Sequence, residues 1–559
     1  MATRASRVLR RVAWGTGAAV GTPILASVGY AQYLRTTTPE DEISESHNIH
    51  NATFQTSIWY QSITNLLMTL FGQISRRRLD ASCENAAEEN ERLLLSVLKR
   101  CKDTSYGIAH NFSSIQSRED FRRKHPLTNH DHYSSYIDQI VHLNEHDEPP
   151  NNIMFPEKPR MIAQTSGTSG TAKLIPVSPL QRKVFFLEGI GVAFDTMVRG
   201  VPTSSHGLIQ SWPNLQKSCK LMFTPKYSYT VNGLKVGPNS STPGDNKSLL
   251  KLYSTPPDAY EVETEPELLF LHALYALLDR NLGLIESNFI LGVFNMFSCM
   301  DRHWDDLVET VRSGKFPKDL DIPDQVRTKL ECELVPNPKR AEELAGIRIS
   351  HGDKKDSHKS FARRIWPKLH TIMANETGSF HLCGRRVREK WTGDDITIFS
   401  PLYGATEGLI GVNTDINGTS FSLCPKSMFF EFLPVEESDE PDERLLAEKT
   451  LFLEELQEGK EYEMIITNLT GLYRYRFGDI IRCVGYRGQS PIVEIAYRRG
   501  QFLNAQGERT SEETLYRALA KTANESWGFQ LKDYTAVEYF LKQNGSDHRP
   551  RYTVYLELE

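Results

Sequence analysis

The chain has 559 residues, 39% of them hydrophobic and 24% charged, an ordinary globular composition in a chain too long for one core. Its 65 Lys and Arg face 71 Asp and Glu, a formal charge of −6, so no overall positive field draws it to nucleic acid. The eight cysteines show neither a CxxC pair nor metal-ligand spacing, which speaks against a disulfide framework and a zinc cage.

Arg4, Arg7, Arg10 and Arg11 precede an uncharged stretch from Val12 to Leu34, and no acid comes before Glu40. At about 23 residues this stretch is long enough to cross a bilayer as a helix. Residues 1–36 therefore read as a targeting or anchoring segment, first of all a signal anchor holding the chain at the endoplasmic reticulum membrane. A mitochondrial presequence, a cleaved secretory signal and a cytoplasmic location are the alternatives. The arginines favour a cytosolic N terminus. Residues 37–88 read as a linker carrying an amphipathic helix near Ser57–Ile74, which ends at Arg76, Arg77 and Arg78 and packs on the body rather than on a membrane.

From Glu89 to Gly107 a helical pattern places Leu93, Leu94, Val97 and Leu98 on one stripe, and a large domain over 89–498 begins there. Helical patterns such as Pro266–Arg280 then mix with strand-like runs such as Tyr462–Leu469 and Pro491–Tyr497, which gives an α/β fold class. His130, His132, His351 and His370 read as turn or surface histidines. Residues 499–559 read as a small second domain, entered through a helical pattern at 511–521 and closing on an alternating strand pattern from Arg551.

Three motifs carry chemistry. Between two short apolar runs lies Thr165, Ser166, Gly167, Thr168, Ser169, Gly170, Thr171, Ala172 and Lys173, a glycine and hydroxyl hairpin. Glycines let backbone amides approach a polyphosphate, hydroxyls donate to its oxygens, and Lys173 neutralises charge. The pattern lacks the Walker ending, and a flexible Ser/Gly linker is the plain alternative. Tyr403-Gly404-Ala405-Thr406-Glu407-Gly408 follows, turning out of a strand at a sheet edge, where ligands collect. Tyr403 suits stacking on a purine, Thr406 an α-phosphate contact and Glu407 a Mg2+ ion; a solvated surface turn is the alternative. Gly471 to Asp479 is the third, its Asp479 placed to accept from two ribose hydroxyls unless the segment is merely an aromatic strand ending in a turn. Arg498 then opens a hinge into the small domain.

TSGTSGTAK, YGATEG and YRFGD, in this order and spacing, resemble the phosphate-loop, magnesium and ribose motifs of the superfamily of acyl-CoA synthetases and luciferases. TSYG at Thr104, KLIP after the phosphate loop, FFEFLP at Phe429 and GLYRYRFGD narrow the resemblance. They point to the auxin-responsive Gretchen Hagen family of acyl-acid amido synthetases, including its animal relatives, over roughly Glu89 to the end. The resemblance implies a large N-terminal α/β domain with a β-barrel subdomain and a small mobile C-terminal α+β domain.

It also implies roles. Ser166, Thr168 and Lys173 would contact the ATP phosphates, within a loop completed by Thr165, Gly167 and Ser169. Tyr403 would sit near adenine, Thr406 on the α-phosphate, Glu407 on Mg2+, Asp479 on the ribose and Arg498 at the hinge. The implied reaction joins a carboxylic acid, activated by ATP as its acyl-AMP, to an amine, first of all an amino acid. The last residues, Arg551 to Glu559, stop where family members continue, so the small domain is expected to be incomplete and to lack its catalytic lysine. A nucleotide-binding, catalytically weakened membrane-tethered scaffold or sensor is the alternative function, and an acyl-CoA ligase the second.

Overall fold

The computed structural model describes residues 29–36, 38–40, 43–44, 54–141, 150–165, 173–201, 215–240, 242–246, 249–352, 360–437, 442–499, 512–529, 531–539 and 551–558. Two sheets dominate the body. Ser218–Lys220, Leu284–Phe289, Thr371–Asn375 and Thr397–Phe399 form a four-stranded sheet in that order, all neighbours parallel. Parallel neighbours need long crossovers, and helix Glu265–Leu278 supplies one. Its sequence is apolar all round, and every residue from Leu268 to Leu278 is buried, so it forms the centre of the largest core rather than a surface layer.

The second sheet is antiparallel and has seven strands. Its order is Phe429–Pro434, Glu461–Thr467, Tyr475–Arg487, Ser490–Arg498, Phe421–Leu423, Gly408–Val412 and Leu402–Ala405. Register shifts beside Ile480 and Cys483 bend its two longest strands, as bulges do in curved sheets. A third sheet pairs Met161–Gln164 antiparallel with Leu174–Val177, the hairpin that presents the first motif, and parallel with Lys235–Gly237. Beyond the body, helix Glu512–Thr522 and the hairpin Leu531–Tyr539/Arg551–Leu558 share a small core of Tyr516, Ala523 and Leu531. Arg386 of the body donates to the Leu531 carbonyl.

The stretch read as a linker holds more structure than its pattern announced. Helix Phe54–Glu84 covers 31 residues and lies against helix Gly191–Gly200, with Arg76 Nε on Asp195 at 3.0 Å. Its Leu79 and Cys83 belong to a core cluster with Val192, Ala193, Leu402 and Leu409, so the body starts well before Glu89. Of the proposed anchor, residues 12–28 lie outside the described residues, and 29–36 are helical with Leu34 buried. Among the described residues no helix is long and apolar enough to cross a membrane. His132, read as a surface histidine, is half-buried and hydrogen-bonds Tyr106 through Nε2 at 2.9 Å.

Candidate active site

The phosphate-loop hairpin is closed at its base by two bonds. Thr165 N donates to the Lys173 carbonyl and Lys173 N to Thr165 Oγ1, both at 3.0 Å. Ser166, Gly167, Thr168 and Ser169, the four other loop residues expected on ATP, lie outside the described residues. Lys173 Nζ reaches the hydroxyl of Tyr475 at 3.3 Å, which ties the loop to the strand carrying the third motif.

Strands Leu402–Ala405 and Gly408–Val412 form a hairpin at the edge of the seven-stranded sheet, as the sequence suggested, with Thr406 and Glu407 at its tip. Two amide side chains pin the tip: Gln181 Nε2 donates to the Thr406 carbonyl and Asn468 Nδ2 to the Glu407 carbonyl, each at 2.8 Å. Gly408 closes the turn at φ 138°, a backbone conformation that favours glycine. Glu407 thereby points into a site where it is 5% exposed.

Asp479 lies on the third strand counted from the opposite edge of the same sheet, directly across from Arg498 in the register of Tyr475–Arg487 with Ser490–Arg498. Tyr403 Oη donates to Asp479 Oδ2 at 2.6 Å, and Arg498 Nη1 lies 3.5 Å from Oδ1. Tyr403 is the residue expected beside adenine. Its ring is buried and tilted against Phe421, and its hydroxyl fixes the Asp479 carboxylate. Burial pushes the Asp479 and Glu407 carboxyls up, while Arg498 pulls both down and Lys173 pulls Glu407 down as well. Burial, with the Asp479 charge, drives the Tyr403 hydroxyl far up, so it stays a donor.

Behind the site stands a residue that the sequence reading quoted but gave no role. Arg474 is fully buried, and its guanidinium bonds both oxygens of Glu431 and the carbonyls of Arg122, His125 and Ala447. Glu431 is the acid of FFEFLP, buried in mid-strand, so two phrases some forty residues apart are one ion pair. Gln181, Asn468 and Tyr475 were missed too. Gln181 and Asn468 left no signal, because a single amide has meaning only once its partner carbonyl is placed.

Two carboxylates and two cations, Glu407, Asp479, Lys173 and Arg498, thus come together around the Leu402–Ala405/Gly408–Val412 hairpin. On this architecture they define a protein of the acyl-adenylate-forming fold. The structure is similar to that of the GH3.15 acyl acid amido synthetase, with a TM-score of 0.68 over 86% of this chain and 81% of the other at 22% identity. The same protein in complex with 2,4-DB gives a TM-score of 0.69 over 87% and 80% of the two chains at 23% identity. Residues 75–396 match the GH3 family N-terminal domain and 421–498 the GH3 family central domain. The chain belongs to the GH3 family.

Among its relatives are a probable indole-3-acetic acid-amido synthetase of Oryza sativa and a 4-substituted benzoates-glutamate ligase of Arabidopsis thaliana, each 25% identical. The alignments cover 83% of this chain and 78% of the first, and 79% of this chain and 74% of the second. A GH3 domain-containing protein of Mus musculus is 30% identical over 51% of this chain and 49% of its own length.

Proposed function

We propose that this protein is an ATP-dependent acid–amino acid ligase, which activates a carboxylic acid as its acyl-AMP and passes the acyl group to the amine of an amino acid. The observation that carries the reading is the meeting of Lys173, Glu407, Asp479 and Arg498, drawn from distant parts of the chain, around the Leu402–Ala405/Gly408–Val412 hairpin. In the first half-reaction a carboxylate oxygen attacks the α-phosphorus, the bond to pyrophosphate breaks and a mixed anhydride forms. Lys173, which the Tyr475 hydroxyl supports, neutralises phosphate charge, and Asp479, held by Tyr403, accepts from the ribose hydroxyls. In the second, a neutral amine attacks the acyl carbon, AMP leaves with the electron pair of the broken C–O bond, and the new amide sheds a proton to solvent. No side-chain nucleophile is required.

Glu407 suits Mg2+, which takes one or two carboxylates and completes its shell with phosphates and water. The ion would supply charge neutralisation for the departing pyrophosphate. Membrane attachment through residues 12–34 at the endoplasmic reticulum rests on the sequence pattern, and alkaline extraction of membranes carrying the full chain tests it.

The ligase reading is tested by pyrophosphate release from ATP and Mg2+ with a pooled carboxylic acid library. Acid-dependent release, abolished by Glu407→Ala and stimulated by amino acids, is the expected result. Stimulation by coenzyme A in place of amino acids would make the enzyme an acyl-CoA ligase. ATP binding with no release under any acid would sink the ligase reading in favour of a nucleotide-binding scaffold.

A further inference from the structure

Between Gln61 and Ser75, helix Phe54–Glu84 is amphipathic the wrong way round. Against the body it turns Gln61, Ser62, Asn65, Thr69, Gly72 and Ser75, all buried. Small and polar residues there let the backbones approach: a Cβ on Gly72 would stand 3.0 Å from the Gly191 carbonyl oxygen. Gln61 donates to the Gln216 carbonyl, and Ser62 to Ile58 one turn back in the same helix.

The outer face is apolar. Leu67, Leu70 and Ile74, spaced so that they share one side of the helix, are 60%, 44% and 57% exposed. Phe71 extends the stripe sideways by stacking on Phe186, centroids 4.7 Å apart, and Phe186 is itself 46% exposed. A helix on a globular body ordinarily buries such a stripe, and a contiguous exposed apolar patch marks an interaction surface.

We propose that this face seats on an anionic lipid bilayer surface. The residues from Trp59 to Leu79 include no acid, and Arg77 and Lys183 stand exposed at the edge of the patch, the second one helical turn from Phe186. An apolar stripe with a cationic rim and an aromatic pair, Trp59 and Tyr60, towards its other end is the pattern of a helix lying in the headgroup plane. The same rim would set like charges together across a two-fold axis, which disfavours a second copy of the chain as occupant. Upstream in the same chain, the Arg-rich start and the uncharged stretch Val12–Leu34 make a second lipid-directed signal, and durable membrane attachment takes two.

The test uses the full-length chain with Cys332→Ser and Cys383→Ser, carrying a polarity-sensitive nitrobenzoxadiazole dye on Leu70→Cys. A matching control carries the dye on Ile108→Cys, at another exposed apolar position. With phosphatidylcholine–phosphatidylserine vesicles the dye at 70 shifts to the blue and is quenched by nitroxide lipid, whereas the dye at 108 does neither. Leu67→Ser with Ile74→Ser lowers the vesicle-bound fraction about tenfold or more, with the thermal midpoint and pyrophosphate release unchanged. Arg77→Glu with Lys183→Glu lowers binding to phosphatidylserine vesicles and leaves binding to neutral ones as it was. A chain that floats with vesicles while the dye at 70 stays wet would overturn the proposal, since the bilayer is then held by another segment. So would a dye already dry without lipid, whether it dries with rising protein concentration, meaning a second copy, or at every concentration, meaning cover by the chain itself.

Discussion

Arg474 has φ 47° and a buried guanidinium that donates to the Glu431 carboxylate and to three backbone carbonyls. Removing one partner strands a charge in the core. Arg474→Met is therefore expected to cost about 3–5 kcal/mol, read from urea unfolding, and Glu431→Leu added to it recovers part of the loss. Tyr403 acts on the site through Asp479. Tyr403→Phe deletes a bond to a carboxylate, so kcat/KM for ATP falls about tenfold or more while the melting temperature scarcely moves. Glu407 couples the site to pH. In the Mg2+ role proposed for Glu407 a proton would compete with the ion for its carboxylate, and burial moves that competition up from the ordinary carboxylate range. Apparent Mg2+ affinity should thus weaken as pH falls while still above that range. Glu407→Gln, titrated calorimetrically with Mg2+ and a non-hydrolysable ATP analogue, should show weak binding that no longer varies with pH.

At the scale of elements, the Thr406–Glu407 turn is an edge hairpin held by donors from two other segments, Gln181 at the start of a helix and Asn468 after a strand. Asn468 also accepts from the amides of Thr470 and Leu472, so it shapes the turn before the Tyr475 strand as it fixes the tip. Asn468→Ala consequently loosens two motifs at once. It is expected to cut kcat more than Gln181→Ala does, and steady-state kinetics on both variants decide the matter. Helix Phe54–Glu84 makes a different demand. Its contact with Gly191–Gly200 leaves no room at Gly72, and Gly72→Val should destabilise by about 1–3 kcal/mol through overpacking.

At the scale of the whole molecule, the largest core encloses a histidine. His272 is fully buried in helix Glu265–Leu278, with Nδ1 accepting from Thr255 at 2.8 Å and Nε2 facing the Met222 carbonyl. Burial lowers its pKa from 6.5 to about 4, so the folded chain keeps it neutral where the unfolded chain takes up a proton. Stability is full above pH 6.5 and is lost as pH falls from there towards 4, at about 1.4 kcal/mol per unit. His110, His125 and His132 are lowered by burial too and act in the same direction. Thermal melts at pH 7.5 and 5 should show the drop, and His272→Gln should make it shallower.

The three motifs, the α/β class and strands such as Glu461–Thr467 were legible in the sequence because each is written locally, in glycine and hydroxyl spacing or in alternating apolar residues. Asp479 was picked out as the acid that ends the Gly471–Asp479 run, and Glu407 by a strand-turn-strand pattern. Their partners were not legible. The aromatic ring of Tyr403 beside a phosphate motif suggested stacking, whereas only the sheet order could show that its hydroxyl meets a carboxylate 76 positions away. Sequence periodicity likewise marked helix Phe54–Glu84 as amphipathic but left open which face meets the body. That choice fell to close backbone approach at Gly72 and the Arg76–Asp195 pair, and it turned the apolar face outward. Local chemistry fixes which groups a segment offers, whereas a hydrogen bond, an ion pair or a buried face exists only when a second segment arrives to complete it.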